Sequence, residues 1–374
     1  MNPRPLALLL TVVLAACGAE APPSPDADFA ILAQAAEGYS QARPGRALEF
    51  PADHGAHPDF RIEWWYLTAN LVDDRGRDYG AQWTLFRTAV RPPGTEPMHN
   101  AWQSGQVYMA HFALTWPDGH RGFQRYARGG DHAGAAQAAV RAQPFAAWLD
   151  DWTLRSTAGG WLPLEVRAGQ DGYAMVLRLR SDRPPVLQGV AGFSQKHPDG
   201  GGSYYYSQPF LDADGWIEID GRRVAVTGRA WLDREWSSQF LQPDQQGWDW
   251  FALHLDSGEK LMLFRLRPRS EAHAGAYLHG ALIGPDGARH ELGPKAIDLQ
   301  AVKHERVAGR RLPLAWRLAL PALGRELYIE ALHADQWMDV DYPYWEGAVR
   351  ATGDGPGSRG VGYMELTGYP PSGR

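Results

Sequence analysis

The stretch GRAWLDREWSSQF, residues 228 to 240, sets Asp233, Arg234 and Glu235 between Trp231 and Trp236. A carboxyl beside indole is costly to ionise, so these acids either close a structural ion pair or carry a proton that is used. Read as a strand, the segment turns Trp231, Asp233 and Glu235 to one face and Leu232, Arg234 and Trp236 to the other. The two carboxyls then stand roughly 6.5 to 7 Å apart. If their face is a barrel interior, low dielectric and the second carboxyl both raise the pKa of Asp233 and favour the protonated acid. Such an acid can protonate an alkene carbon. Water then captures the tertiary cation, which the Trp231 face stabilises, and no cofactor is needed.

Other readings stay open at the same residues. Arg234 or Arg229 could pair with Asp233 or Glu235 and close one end of a barrel. A carboxyl pair at this spacing also suits an inverting glycoside hydrolase, whose carboxyls stand roughly 6.5 to 9.5 Å apart. A third class is a non-catalytic carrier of an apolar molecule. EWWY carries a similar ambiguity: Glu63 and Trp65 share one face, Trp64 and Tyr66 the other, and one pair is core. Glu63, Trp65 and His111, the last in the run GQVYMAHFALTW, are ligand-binding candidates.

PADHGAHPDF, residues 51 to 60, gathers Asp53, His54, His57 and Asp59. A Pro- and Gly-containing loop does not guarantee convergence within about 2.2 Å of one ion, so the segment reads as a hydrogen-bonded surface loop and no metal site is assigned. No serine has glycine at both flanking second positions, and HExxH, P-loop and CxxC patterns are absent. The GxGxxG spacing at Gly355, Gly357 and Gly360 precedes the strand-like VGYMELTGY and reads as a loop.

The elements that must position these residues are strands. Asp-Gly pairs at 118, 171, 199, 214, 220 and 286 separate short apolar or alternating runs, which is hairpin punctuation. No βαβ alternation occurs, so the fold class is all-β, with antiparallel, closed or strongly curved sheets. Hairpins on both sides of residue 238 suggest two similar halves. Phe29, Leu32, Ala33 and Ala36 predict one helix, over residues 29–42. The Gly-rich SQKHPDGGGSY, residues 194 to 204, reads as a loop at a barrel mouth.

The chain has 374 residues, and MNPRPLALLLTVVLAAC reads as an export signal, with Arg4 before a short apolar segment. Leu14-Ala15-Ala16-Cys17 resembles the lipobox of bacterial lipoproteins. That resemblance implies lipidation of Cys17, the only cysteine, and, with no Asp at position 18, retention at the outer membrane facing the periplasm. The predicted division is 1–17 signal and lipobox, 18–47 tether and short helix, 48–238 first domain and 239–374 second domain. Net charge is −6, which argues against a nucleic-acid partner. The 16 Trp and 15 Tyr favour a pocket for rings, polyenes or sugars.

RIEWWYLTANL, GSYYYSQP, GRAWLDREW, GWDWFALHL, PYWEG and GVGYMELTGY occur in an order that resembles the AttH and carotenoid 1,2-hydratase family, over roughly residues 45 to 370. The resemblance implies two lipocalin-like β-barrel domains and an aromatic pocket for an elongated apolar ligand of isoprenoid or polyketide type. It implies a hydro-lyase of the carotenoid 1,2-hydratase kind or a secreted hydrolase, and an ABC exporter system as partner. The family's acid falls on Asp233, and its upstream His and Trp fall on Tyr204 and Tyr206, with Trp231 as the aromatic companion. The acid is kept and its companions are changed.

Overall fold

A computed structural model describes residues 36–95, 104–129, 136–270, 276–355 and 357–372. They form two antiparallel sheets of the same plan, one nearly a closed barrel and one a half-barrel. The first opens with a meander of β1 (Ile62–Val72), β2 (Asp78–Ala89), β3 (Gln106–Trp116) and β4 (Gly119–Arg128). It continues through β5 (Ala138–Ala142), β6 (Phe145–Leu149), β7 (Trp152–Ser156), β8 (Leu164–Gln170) and β9 (Tyr173–Arg180). Short β10 (Val186–Leu187) and β11 (Phe193–Gln195) precede the long β12 (Gly202–Ile219) and β13 (Arg222–Ser237). The last strand returns to pair with the first, β13 against β1, and a bridge from Gly129 to Ala138 joins the two sheet ends.

The second sheet repeats this plan. Its meander is β14 (Gln245–Leu255), β15 (Lys260–Pro268), β16 (Tyr277–Ile283) and β17 (Arg289–Leu292). β18 (Asp298–Val307), β19 (Arg310–Leu320), β20 (Arg325–Ala331), β21 (Trp337–Met338), β22 (Tyr344–Thr352) and β23 (Gly360–Leu366) follow, and β23 closes on β14. The sheet's ends stay apart, so this half is open where a second full barrel was expected. The Asp-Gly signal holds at Asp171-Gly172 and Asp220-Gly221, where positive φ at both residues makes the two-residue turns that join β8 to β9 and β12 to β13.

Alternation along each strand divides most of the buried apolar side chains between three large cores. In the first sheet Trp65, Leu67, Trp83, Phe112 and Leu232 point inward. Phe251, Leu263, Trp316, Trp345 and Met364 fill the second. The outward faces of both sheets meet in a third core containing Ile62, Tyr66, Tyr205, Trp231, Trp250, Phe264 and Tyr363.

One end of the first barrel is plugged by PADHGAHPDF. The segment is not the surface loop its composition suggests: Asp53 and His54 are 2 % and 3 % exposed. Glu63 pairs with Arg87 and Arg234, and His57 Nδ1 lies 3.1 Å from it. His57 Nε2 and Arg46 meet Asp53 at 2.9 and 2.7 Å. The Arg234 guanidinium stacks on Trp65 at 3.8 Å and donates to the Gly55 carbonyl. Burial alone would raise the pKa of Glu63, but the two guanidiniums win and hold it well below the usual carboxylate range. Among the described residues no group of acids, histidines and cysteines is arranged to hold a metal.

The predicted helix is not formed in its described part. Residues 36–42 are turn and coil, because their polar groups bond to the barrel instead: the Tyr39 hydroxyl donates to the Ala89 carbonyl at 2.8 Å and the Ser40 amide to Asp59 at 2.9 Å. Residues 29–35 and Cys17 lie outside the described residues.

The buried ion cluster yields a stability prediction. Arg234→Met strands Glu63 beside a single guanidinium and should cost about 3 to 5 kcal/mol in denaturant unfolding. A change under 1 kcal/mol would show that the plug does not depend on the pair.

Candidate functional site

A cavity of about 330 Å³ lies between the two sheets, not inside either barrel. Its walls are mostly aromatic and apolar: Trp64, Tyr66, Phe86 and Met109 from the first sheet, Trp248, Trp250, Phe264 and Tyr344 from the second. Asp233, Glu235, Glu365, Lys196 and His111 enter this lining, and Glu63 and Arg87 border it.

Asp233 stands on β13 between Tyr66 of β1 and Ser207 of β12. Its carboxyl accepts from the Tyr205 hydroxyl at 2.6 Å, the Ser207 hydroxyl at 2.5 Å and the Trp231 indole at 2.7 Å. Among the described residues no cation pairs with it. Burial therefore dominates and pushes its pKa up to about 7, helped by the Glu235 charge and opposed by the three donors. Trp250, reaching over from the second sheet, donates to the Tyr205 oxygen at 3.3 Å.

Glu235 has a different environment two residues on. It accepts from Ser203 and is 2.8 Å from the Lys196 ammonium. That ammonium is buried over the rings of Phe264, Phe240 and Tyr205 at 4.2, 5.0 and 5.1 Å. Arg234, one of the two arginines that could have paired with these acids, points to the opposite face and pairs with Glu63. Glu235 is thus held by an ion pair, whereas Asp233 is met only by neutral donors.

The tyrosines are placed differently from the family spacing. Tyr205 faces the cavity, whereas Tyr204 hydrogen-bonds the Arg43 backbone and Tyr206 meets His54 Nδ1 at 2.7 Å on the barrel side. The cause is a bulge. From the Asp220-Gly221 turn the register runs regularly to Leu211 opposite Ala230, then slips by one residue so that Gln208 opposes Leu232. Pro209, which cannot donate to a ladder, sits in that irregularity. Without the slip Tyr206 would oppose Glu235; with it Tyr205 does.

Trp65 is likewise inside the barrel, stacked on Arg234, while Trp231 donates to Asp233 in the core between the sheets. His111 reaches the cavity, 2.9 Å from the Tyr344 hydroxyl, and burial lowers its pKa to about 4. The residues not anticipated are Lys196, Tyr205, Ser207, Tyr66 and Glu365. Lys196 stood in what read as a mouth loop, yet its side chain is buried. Glu346 and Glu365 stood in the quoted PYWEG and GYMELTGY, but nothing in a single strand shows what it faces.

A family model described as AttH-like matches residues 41–369. The chain belongs to the AttH-like family. An AttH-type protein of Nitrosomonas europaea is 37 % identical, with a TM-score of 0.76 over 88 % of this chain and 100 % of its own. Kievitone hydratase from Nectria haematococca shares the AttH-like fold at 13 % identity, with a TM-score of 0.64 over 88 % of this chain and 95 % of that one. CghA in complex with Sch210972 is also 13 % identical, with a TM-score of 0.51 over 91 % and 99 %. No curated protein sequence matches this chain.

The position of Asp233 makes stability depend on pH with a definite sign. Its folded pKa is raised, so its protonated form is fully compatible with the fold below pH 4, and stability is lost as pH rises towards and through 7. Asp233→Asn should remove a loss on the order of 4 kcal/mol at alkaline pH. Urea unfolding of both proteins across pH 4 to 8 measures it, and parallel curves would contradict the assignment.

Proposed function

We propose that this AttH-like protein binds an elongated, largely apolar molecule in the cavity between its sheets and adds water to a carbon-carbon double bond there, with Asp233 as the acid. The observation that carries this reading is a carboxyl that no cation among the described residues pairs with, held in an aromatic wall with its pKa pushed up to about 7. At neutral pH such a group is protonated often enough to give its proton to an alkene. Tyr66 and Trp250, packed edge to face at 5.2 Å, offer aromatic surface to the cation that forms. A fold shared with a protein named as a hydratase is in keeping with this chemistry.

The lining supports an isoprenoid- or polyketide-like molecule over a sugar, because its polar groups are few and largely paired with each other. Glu235, the second carboxyl a glycosidase would need, is occupied by Lys196 and Ser203. The same cavity without turnover would serve a carrier that hands its cargo to an ABC exporter, and a carrier needs no raised acid.

Farnesol incubated with the protein in ¹⁸O-labelled water should yield a tertiary alcohol carrying the label. Asp233→Asn should slow this by roughly two to four orders of magnitude while tryptophan fluorescence still reports micromolar binding. Binding by the wild type with no labelled alcohol would favour the carrier.

In this reading the body works in the periplasm, tethered to the outer membrane through lipidated Cys17. A fatty-acid probe fed to cells should label the wild type and spare Cys17→Ser, and equal labelling would remove the anchor.

A further inference from the structure

Opposite Asp233 the second sheet presents two more carboxyls. Glu346 of β22 and Glu365 of β23 are direct cross-strand partners, with Trp250 of β14 next in the same row. Like charges directly opposite on one face repel, and Glu346 is buried while Glu365 is half-buried at the cavity edge. Two carboxyls placed directly opposite each other, away from water, do not both ionise readily, which favours a proton kept by one of them. The Tyr66 hydroxyl, from the residue beside Asp233, donates to Glu346 Oε1 across the gap between sheets. Among the described residues Glu346 Oε2 is buried and meets no hydrogen-bond donor. The Trp248 indole donates to Glu365. Of the pair, Glu365 lines the cavity.

We propose that Glu365, with Glu346 behind it, is the base that takes the proton from the attacking water on the wall opposite Asp233. This rests on the reading of Asp233 as the acid. The carboxyl of Asp233 gives its proton to one alkene carbon, and the electron pair of the double bond forms the new C–H bond. A water oxygen lone pair then forms the C–O bond to the resulting cation and passes one proton to the Glu365 carboxylate. The net change is the addition of one water. The cycle closes when the Glu365 side returns its proton to bulk water and Asp233 takes one up. Burial pushes the pKa of Glu365 up to about 7, with Glu346 and Trp248 hydrogen bonds opposing and the Glu235 charge assisting, so it can both accept and release a proton near neutrality. Glu346 is held well above the usual range by burial and by Glu365, and it keeps the pair's permanent proton.

Acid and base on separate walls make two half-reactions that separate experimentally. With farnesol in D₂O, proton transfer from Asp233 alone exchanges deuterium into the alkene when the cation collapses back, whereas the alcohol forms only when water is captured. Glu365→Gln should cut alcohol formation about 100-fold or more and leave deuterium exchange within a few-fold of wild type. Asp233→Asn should abolish both. Unchanged alcohol formation in Glu365→Gln would overturn the role of Glu365 while leaving that of Asp233 intact. Parallel loss of exchange and alcohol in a folded, ligand-binding Glu365→Gln would also overturn it. If neither product appears with wild type, the acid reading falls and this one with it. Should Glu365→Gln fail to fold, Glu365→Asp, which withdraws the carboxyl by one methylene, is read in the same way.

Discussion

The pairing of Arg234 with Glu63 is the constraint on which the site depends. A guanidinium that is fully buried must have its charge met, and among the described residues Glu63, on the same face of β1 and opposite Trp236, is the carboxylate paired with it. That contact commits Arg234 to the barrel interior, and with it Trp236 and Leu232. Because neighbouring residues of a strand point to opposite faces, Asp233 and Glu235 are then forced outward. The same strand thus seals one core and arms the surface that becomes another. Moving the pair would turn over every side chain of β13 at once.

What the outward face meets is a second sheet built on the same plan. β1 and β2 of the first half lie against β22 and β23 of the second, with the Asn70 amide donating to the Gly362 carbonyl at 2.8 Å and Tyr66 reaching Glu346. The cavity is what remains where these two convex surfaces do not touch. Its acids come from both halves and its aromatic rings do too, so neither half alone encloses the site. A barrel that packs its own interior with tryptophan and leucine has no room for a ligand inside, and this places binding between domains.

Electrostatics then distinguishes carboxyls that look alike. Glu63 has two guanidiniums and stays ionised; Glu235 has an ammonium; Asp233 has only neutral donors; Glu346 and Glu365 have each other. In a low-dielectric setting the partner decides the protonation state more than burial does. Four buried acids and the half-buried Glu365 therefore divide into groups whose ion pairs hold the structure and groups that can keep or move a proton.

Read alone, the residues determined much of this. Asp-Gly turns, alternating runs and the missing βαβ pattern defined an all-β fold, because turn geometry and strand periodicity are local properties written in neighbouring residues. They also brought out Asp233 and Glu235 on one face, and the ordered motifs marked the family. Local information ran out where phase and partners mattered. A one-residue slip at Pro209 exchanged Tyr204 and Tyr206 for Tyr205, and no periodicity shows a slip within three consecutive tyrosines. The helix expected over 29–42 gave way, in its described part, to hydrogen bonds with Ala89 and Asp59. Lys196 left its loop for the cavity, and PADHGAHPDF went from surface to plug. Which acid would find an arginine, which a lysine and which only another acid depends on residues up to hundreds of positions apart, and only the packing of one sheet on the other brings those together.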